Sequence, residues 1–553
     1  MIAGEVWAPS ASRVDLVVRG ESGRNWSRMT RTADGWWHPE TPLVAGTDYW
    51  FCVDGSEPLA DPRATWLPEG PSGPARVLHR QPHEWTATDF VAVPWHEAVC
   101  YELHVGTFSR AGTFTGAIEH LDHLVELGVT HVELMPVNTW DGEFGWGYDG
   151  VAWWAPQAPY GTPAELMALV DACHERGLAV LLDVVFNHLG PSGAVLDRFG
   201  PYTHDSATPW GRALNLDQTD CEEVRRFIVD CAEHWIRVYR FDGLRLDAVH
   251  ALADESPVHL VAELAERVTA RAAEYGRRCV VIAEWDRHDP TPVVPTKAGG
   301  WGLDAHWADD LHHALHVTLT GETHGYYADA AASPDAVIEA LRHVYLPRRA
   351  TGDPATETPV GSMDRSRFVV CSQNHDQVGN RAAGERLEHL VGPRPALAAA
   401  TLALLGPSVP LLFQGQEWAA SAPFPFFADH RTTGLGEQVV TGRRDEFPDH
   451  PWDDVADPCD PATFDGAKLD WHELATGFHA ETLDWYRRLI ALRRNNVEFA
   501  AGAPCEVIRL AGTSVVQMRR DRWVVTVDLR AGTDELPEIV LEPATEPAME
   551  WAR

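Results

Sequence analysis

Positive charge is scarce in this sequence. Its 553 residues carry 45 Lys and Arg against 81 Asp and Glu, a formal net charge of -36. A protein that tracks nucleic-acid phosphates needs the opposite balance, so that class is set aside. The acidic excess reads as a solvating surface and suits a neutral ligand at least as well as a charged one. Paired cysteines are missing too. The nine Cys (52, 100, 173, 221, 231, 279, 371, 459 and 505) are odd in number, scattered and never in a C-x-x-C, which argues against a zinc cluster and a disulfide framework. Several lie in apolar runs such as Cys279-Val280-Val281-Ile282, where a reduced thiol packs as a small hydrophobe. No basic-then-apolar segment opens the chain at Met1-Ile2-Ala3-Gly4-Glu5-Val6-Trp7, so no secretory signal is expected and the default compartment is cytoplasmic. An uninterrupted apolar run of membrane length is also missing. The stretch 396–413 comes nearest, but Gly406, Pro407 and Pro410 cut it into a core helix and a core strand.

What is present is organised by period. Up to about residue 97 the pattern is β: Arg13-Val14-Asp15-Leu16-Val17-Val18 alternates, Gly35-Trp36-Trp37 marks a turn, and 48–55 is a strand closed by Asp54-Gly55. A small β-sandwich is expected, followed by irregular Pro- and Gly-rich chain over 61–74. Tryptophans 7, 36, 37 and 50 read as its core, with a sugar-stacking platform as the alternative. From 98 onward short apolar runs alternate with helical patterns, the rhythm of βα units. Strands are expected at 98–105, 131–137, 179–187, 241–250, 279–284, 302–306, from 368 to 371, and at 409–413, with helices at 115–127, 163–176, 222–239 and 257–275. Two long stretches, 138–163 and 188–219, follow the second and third strands, on the face where such barrels build clefts. A helix at 481–494 precedes strands at 507–510, 514–519 and 523–529. The expected fold class is α/β: a (β/α)8 TIM barrel over 98–495, an N-terminal β-sandwich over 1–97 and a small C-terminal β-domain over 496–553.

Charge gathers at the ends of these strands. Arg245 and Asp247 lie two apart and project from one face of the pleat at the carboxyl end of the fourth strand. Asp183-Val184-Val185-Phe186-Asn187-His188 ends the third, Ala283-Glu284 the fifth, and Asn374-His375-Asp376-Gln377 follows the seventh. One R-x-D is a weak signal, because a buried Arg–Asp pair is often only structural. Four such motifs on the right strands, in the right order, are a strong one.

On these residues the chain resembles the α-amylase family of glycoside hydrolases, over nearly its whole length, with a sandwich like that of isoamylases and branching enzymes. Other stretches narrow the resemblance to the malto-oligosyltrehalose trehalohydrolases: Tyr101-Glu102-Leu103-His104-Val105-Gly106-Thr107-Phe108, Gly145-Trp146-Gly147-Tyr148-Asp149-Gly150-Val151, Asn187-His188-Leu189-Gly190-Pro191, Gly415-Gln416-Glu417-Trp418, Pro425-Phe426-Phe427-Ala428-Asp429-His430, Gly442-Arg443-Arg444-Asp445-Glu446-Phe447 and Asp460-Pro461-Ala462-Thr463-Phe464. The resemblance implies cleavage, with retention, of the α-1,4 bond beside a terminal trehalose unit. Asp247 would be the nucleophile, Glu284 the acid/base, and Asp376 the carboxylate that binds sugar hydroxyls and stabilises the oxocarbenium-like transition state. Retention needs the first two ~5 to 5.5 Å apart on opposite faces of the sugar. Arg245 is expected to keep Asp247 ionised, and Glu284, above apolar Val281 and Ile282, to stay protonated near neutrality. His188 and His375 would donate to the same ring and Tyr148 would stack on it. His250, Trp210 and Trp285 are placed on the leaving-group side. Trp285 departs from the family, which usually has a small residue there, and is expected to narrow those subsites.

The resemblance further implies malto-oligosyltrehalose as substrate, a functional pairing with malto-oligosyltrehalose synthase, no cofactor, and no nucleic-acid or membrane partner. Many amylases bind calcium near the third-strand motif. No dense Asp/Asn loop appears here, so no metal is expected, and Asn187 reads as a hydrogen-bonding loop residue. The competing enzyme reading is a glycogen debranching or branching enzyme acting on α-1,6 linkages, which shares the barrel and the sandwich. The competing non-enzyme reading is a catalytically inactive glycan-binding barrel, opposed by the joint presence of Asp247, Glu284 and Asp376.

Overall fold

The computed structural model describes residues 4–78, 83–208, 210–347, 363–430, 434–446, 455–530 and 542–543. Phe447, the end of one stretch singled out above, and most of the chain beyond 530 lie outside them. Eight parallel strands close on themselves: Cys100–Leu103, His131–Leu134, Ala179–Val184, Gly243–Leu246, Val280–Ala283, Ala305–Trp307, Phe368–Cys371 and Val409–Phe413. The eighth returns to the first with Phe413 opposite Glu102. Their residues are buried almost without exception, as required of parallel strands covered by helices on the outside. The strands stop earlier than the apolar runs suggest, the third at Val184, the fourth at Leu246 and the fifth at Ala283. The charged residues that follow therefore stand just beyond the ladder, where the backbone is free to leave the pleat. Gly243 opens the fourth strand; a Cβ there would lie 2.4 Å from the Val280 carbonyl oxygen and push the fourth strand off the fifth.

Helices follow the expected order with changed bounds. The segment expected as one helix at 115–127 is two, Phe114–Ile118 and Leu121–Leu127, the first capped by the Thr113 hydroxyl, which accepts from the Gly116 N–H at 3.1 Å. The apolar stretch at 396–413 is the helix Pro393–Leu405 followed by the eighth strand. Carbonyls at the end of this helix are satisfied by buried guanidiniums, Arg493 donating to Leu404 and Gly406 and Arg520 to Leu405. Those arginines belong to the helix Gly477–Asn495 and to the C-terminal sheet of Glu506–Arg509, Val515–Arg520, Trp523–Asp528 and Glu542–Pro543, and they tie both to the barrel. Among the described residues no helix is long and apolar enough to cross a membrane. All nine cysteines are free.

The N-terminal segment forms two antiparallel sheets, Val6–Trp7, Trp36–His38 and Thr30–Arg31 in one, Gly23–Arg28, Val14–Gly20, Asp48–Val53 and Ala75–Arg76 in the other. Trp7, Trp37 and Trp50 are buried, and Trp36 is half-buried against the same core with the Arg63 guanidinium 5.4 Å from its ring. This unit also braces an active-site loop. Trp7 meets Tyr202 edge-on at 5.6 Å and Phe51 meets Phe199 at 6.2 Å, holding the 188–219 insertion, whose hairpin Thr203–Thr208 and Gly211–Leu214 carries Trp210 at its turn.

Candidate active site

Arg245 is the hub. It is 1% exposed; Nη1 donates to both oxygens of Asp183 at 3.0 and 2.8 Å and to Asp247 Oδ1 at 2.8 Å, and Nη2 lies 3.0 Å from Glu284 Oε2. Its guanidinium carbon sits 4.2 Å over the centre of the Trp307 ring, from the sixth strand. Strand register produces this convergence. Asp183 is opposite Arg245 and Leu246 is opposite Ala283, so Asp247 and Glu284 leave neighbouring strands at the same level.

One cation serving three carboxylates overturns the expected charge pattern. Burial, with the charges of Glu284 and Asp183, drives the Asp247 carboxyl well above the usual range in spite of Arg245. At Glu284 burial also works upward, but Arg245, the Ala248 N–H and His250 outweigh it and hold that carboxyl low. Arg245, beside Asp247 in the sequence pattern, gives two hydrogen bonds to Asp183 in the fold. The Ala248 N–H donates to Glu284 Oε2 at 2.7 Å. Ala248 has a φ of 37°, in the left-handed region that costs a non-glycine residue about 1–3 kcal/mol; the strain aims this amide.

On the far side of Asp183, Glu102 accepts both the backbone N–H and Nδ1 of His375, at 2.8 and 2.5 Å. Burial opposes a charged imidazole, yet the charge and hydrogen bond of Glu102 prevail and raise His375 to about 9. The protonated Nε2 then donates to the Tyr148 hydroxyl at 2.8 Å, and that hydroxyl donates to Asp183 Oδ2 at 2.7 Å. The rings of Tyr148 and His375 stack at 5.2 Å. Asp376 follows in the turn His375–Gly379, which is capped by Asn374. Burial raises its carboxyl against the pull of His375, and Oδ1 accepts from Asn380 Nδ2 at 2.5 Å.

The residues expected on the leaving-group side separate into two groups. His188, buried and hydrogen-bonded to the Tyr148 backbone, stacks on Trp210 at 5.6 Å, and Trp210 lies 6.2 Å from His250. Trp210 is 44% exposed, so this wall faces solvent. Trp285 is buried instead, edge-on to Trp301 at 4.9 Å and beneath the Arg287 guanidinium at 5.1 Å, with His259 stacked on Trp301. None of its ring contacts is with Trp210 or His250.

Several groups escaped sequence reasoning. Asp183 and Glu102 lie inside stretches already singled out, and their signal was position on a barrel strand. Asp309 follows the sixth strand, the weakest in the sequence pattern, and is pushed up to about 8 by burial and by the charges of Glu284 and Asp376. Glu133, opposite Glu102, has no hydrogen bond to either oxygen among the described residues, and burial with the Glu102 charge keeps its carboxyl high. Nothing in His131-Val132-Glu133-Leu134 distinguishes it from an ordinary strand glutamate.

Asn187 is a further correction. Expected to be satisfied in its loop, it is buried with neither amide atom hydrogen-bonded among the described residues. Calcium takes about six or more oxygen ligands, and one carboxamide does not supply them. Among the described residues no group of three or more His, Cys, Asp or Glu is placed to hold a metal ion, so the side chains here do not fit one.

Two carboxyls on one guanidinium, with a third close by, are equipped for proton transfer and covalent capture at a glycosidic bond. The family described as the catalytic domain of alpha amylase matches residues 82–208. The chain is 46% identical over 545 residues to the malto-oligosyltrehalose trehalohydrolase of Arthrobacter ramosus, covering 96% of this chain and 94% of that one. It is 44% identical over 516 residues to the protein of the same name from Mycobacterium tuberculosis, covering 90% and 86%. A solved Salmonella typhimurium structure described among the alpha amylases superposes with a TM-score of 0.86 at 35% identity, covering 95% and 90%.

Proposed function

The chain belongs to the malto-oligosyltrehalose trehalohydrolases of the α-amylase family, and from this we propose that it hydrolyses the α-1,4-glucosidic bond beside the terminal trehalose of a malto-oligosyltrehalose, releasing trehalose and a malto-oligosaccharide. The observation that carries the reading is the bridging of Asp247 and Glu284 by Arg245. It brings both carboxyls to one guanidinium, the pairing that a retaining mechanism, with its carboxyls ~5 to 5.5 Å apart, calls for.

In this reading Asp247 attacks the anomeric carbon of the sugar beside trehalose. The bond to the trehalose oxygen breaks, and Glu284 gives its proton to that oxygen. Glu284 must therefore carry a proton when the bond breaks, with Asp247 ionised. Glu284 then takes a proton from water, the hydroxyl attacks the same carbon, and Asp247 is released with one water consumed in total. Asp376 holds sugar hydroxyls and its negative charge opposes the positive charge developing on the ring, while His375, expected to donate to that ring, spends its two ring N–H groups on Glu102 and Tyr148 and borders the sugar through Tyr148. Tyr148 and His188 border the same sugar. Trp210 and His250 form the wall met by the trehalose unit, and Trp285 narrows that side from behind.

Trehalose is joined through both anomeric carbons, so its rings meet at an angle that maltose does not adopt. A wall that leaves buried polar groups unpaired against the wrong ring costs roughly 10⁴-fold in specificity. Maltotriosyltrehalose should accordingly be cut far faster than maltopentaose, giving trehalose and maltotriose with one new reducing end per cut. Equal rates on the two, or faster release of linear chains from glycogen, would replace this reading with an amylase or debranching activity. A cytoplasmic setting, a functional pairing with malto-oligosyltrehalose synthase, and a division into units at 1–97, 98–495 and 496–553 complete the proposal.

A further inference from the structure

Asp376 is not among the carboxylates that hydrogen-bond Arg245, and its support comes through Asn380. Asn380 Nδ2 donates to Asp376 Oδ1 at 2.5 Å, and Asn380 Oδ1 accepts from Arg443 Nη1 at 2.8 Å. Arg443 lies on the helix Gly436–Glu446, far beyond the eighth strand, with its guanidinium 4.9 Å over Phe426. Phe426 meets Trp146 edge-on at 5.1 Å, and its N–H donates to the Gly379 carbonyl at 3.1 Å. A Cβ on Gly379 would lie 2.0 Å from the Trp146 ring. The short turn that carries Asp376 is thus gripped by Trp146, Phe426 and Arg443. These come from three of the stretches that set this chain apart among amylases, and hydrolysis as derived above makes no use of Arg443.

We propose that Arg443 is a positioning residue for the reaction, acting through Asn380 to fix the orientation and charge of Asp376. A carboxamide can flip, exchanging its donor and acceptor ends. Arg443 offers only donors, so it holds the Asn380 oxygen and leaves the amide nitrogen facing Asp376. The same cation favours the ionised form of that carboxyl. Lysine would keep the charge but not the planar fork that also lies flat on Phe426. The inference rests on the reading of Asp376 as an active-site carboxylate.

The test compares Arg443→Ala, Arg443→Lys, Asn380→Ala, the Arg443→Ala/Asn380→Ala double variant and Asp376→Asn on malto-oligosyltrehalose across pH, with melting temperatures. Arg443→Ala should lower kcat by roughly 10- to 100-fold with a smaller change in KM, as displacement of a reacting group does. Its acidic limb should move to higher pH because Asp376 loses a cation, and Arg443→Lys should restore the limb but not the full rate. The double variant should be no slower than Asn380→Ala alone, because both residues act along one path. Arg443→Ala activity within about threefold of the parent with an unmoved acidic limb, or losses that multiply in the double variant, would overturn the inference. If Arg443→Ala does not fold, Arg443→Met, which keeps the stem over Phe426, answers the same question. Near-parental activity of Asp376→Asn would instead sink the reading of the site, whereas an inactive Asp376→Asn beside an intact Arg443→Ala would sink only this inference.

Discussion

Nδ1 of His375 lies 2.5 Å from Oε1 of Glu102, a contact between residues 273 positions apart, and the other Glu102 oxygen accepts the His375 backbone N–H at 2.8 Å. The first barrel strand therefore fixes a ring that follows the seventh. Because His375 is raised to about 9 from an unfolded value near 6.5, the pair contributes stability that is fully present below pH ~6.5 and lost as pH rises through about 9. Glu102→Gln should lower the melting temperature most below pH ~6.5, by an amount corresponding to about 3 kcal/mol. The deficit should shrink toward pH 10, and thermal scans over this range check it. A deficit that does not change with pH would show that the imidazole does not titrate against Glu102.

Replacing Asp247 by Asn removes the covalent step while leaving the packing, and should cost roughly 10⁴-fold or more in kcat. Glu284→Gln should cost about 10²- to 10⁴-fold and abolish the basic limb of the pH profile, which reports the proton that Glu284 must donate. Activity of Asp247→Asn within tenfold of the parent would reassign the nucleophile. An unaltered profile in Glu284→Gln would reassign the acid.

Asp309 carries linkage of the same sign as His375, but as a growing cost of burying a carboxyl rather than the loss of an ion pair. Its folded value, about 8, exceeds the unfolded ~3.9, so between these the folded state binds more protons and stability falls as pH rises. Asp309→Asn should therefore stabilise the protein by an amount that grows from pH 4 to pH 8 and then levels, measured as the difference in melting temperature. A difference that is flat with pH would mean that Asp309 is ionised throughout.

Chelator treatment should leave both activity and melting temperature unchanged, since no donor set among the described residues fits a metal whose binding would stabilise the folded state. A melting temperature lowered by several degrees and restored by calcium would identify Asn187, with its two unsatisfied amide atoms, as part of a site completed by backbone oxygens.

The eight strands, the closed barrel and the flanking β-units were legible because each depends on local periodicity: apolar runs of strand length alternating with amphipathic helices. The three carboxylates were legible for a related reason. Each follows its own strand, and parallel strands of a barrel present their carboxyl ends at one face, so position along the chain already implied convergence. Where an expectation needed the exact strand end it failed by a few residues, because the ladder stops where the backbone turns to aim Asp247, Ala248 and Glu284.

What only the tertiary structure decided is how limited partners are divided among competing groups. The sequence placed Arg245 beside Asp247, yet the register also brings Asp183 and Glu284 to the same guanidinium, and that division reverses the charge order inferred from neighbours in the chain. Trp285 and Trp210 looked alike as loop tryptophans, but one is locked against Trp301 and the other stands in solvent. Arg443 reaches Asp376 from 67 positions along the chain, through Asn380. A sequence determines periodicity and residue chemistry. Charge state and orientation depend on distances across strands and on which of several neighbours a buried cation meets first, and those are set only when the chain closes.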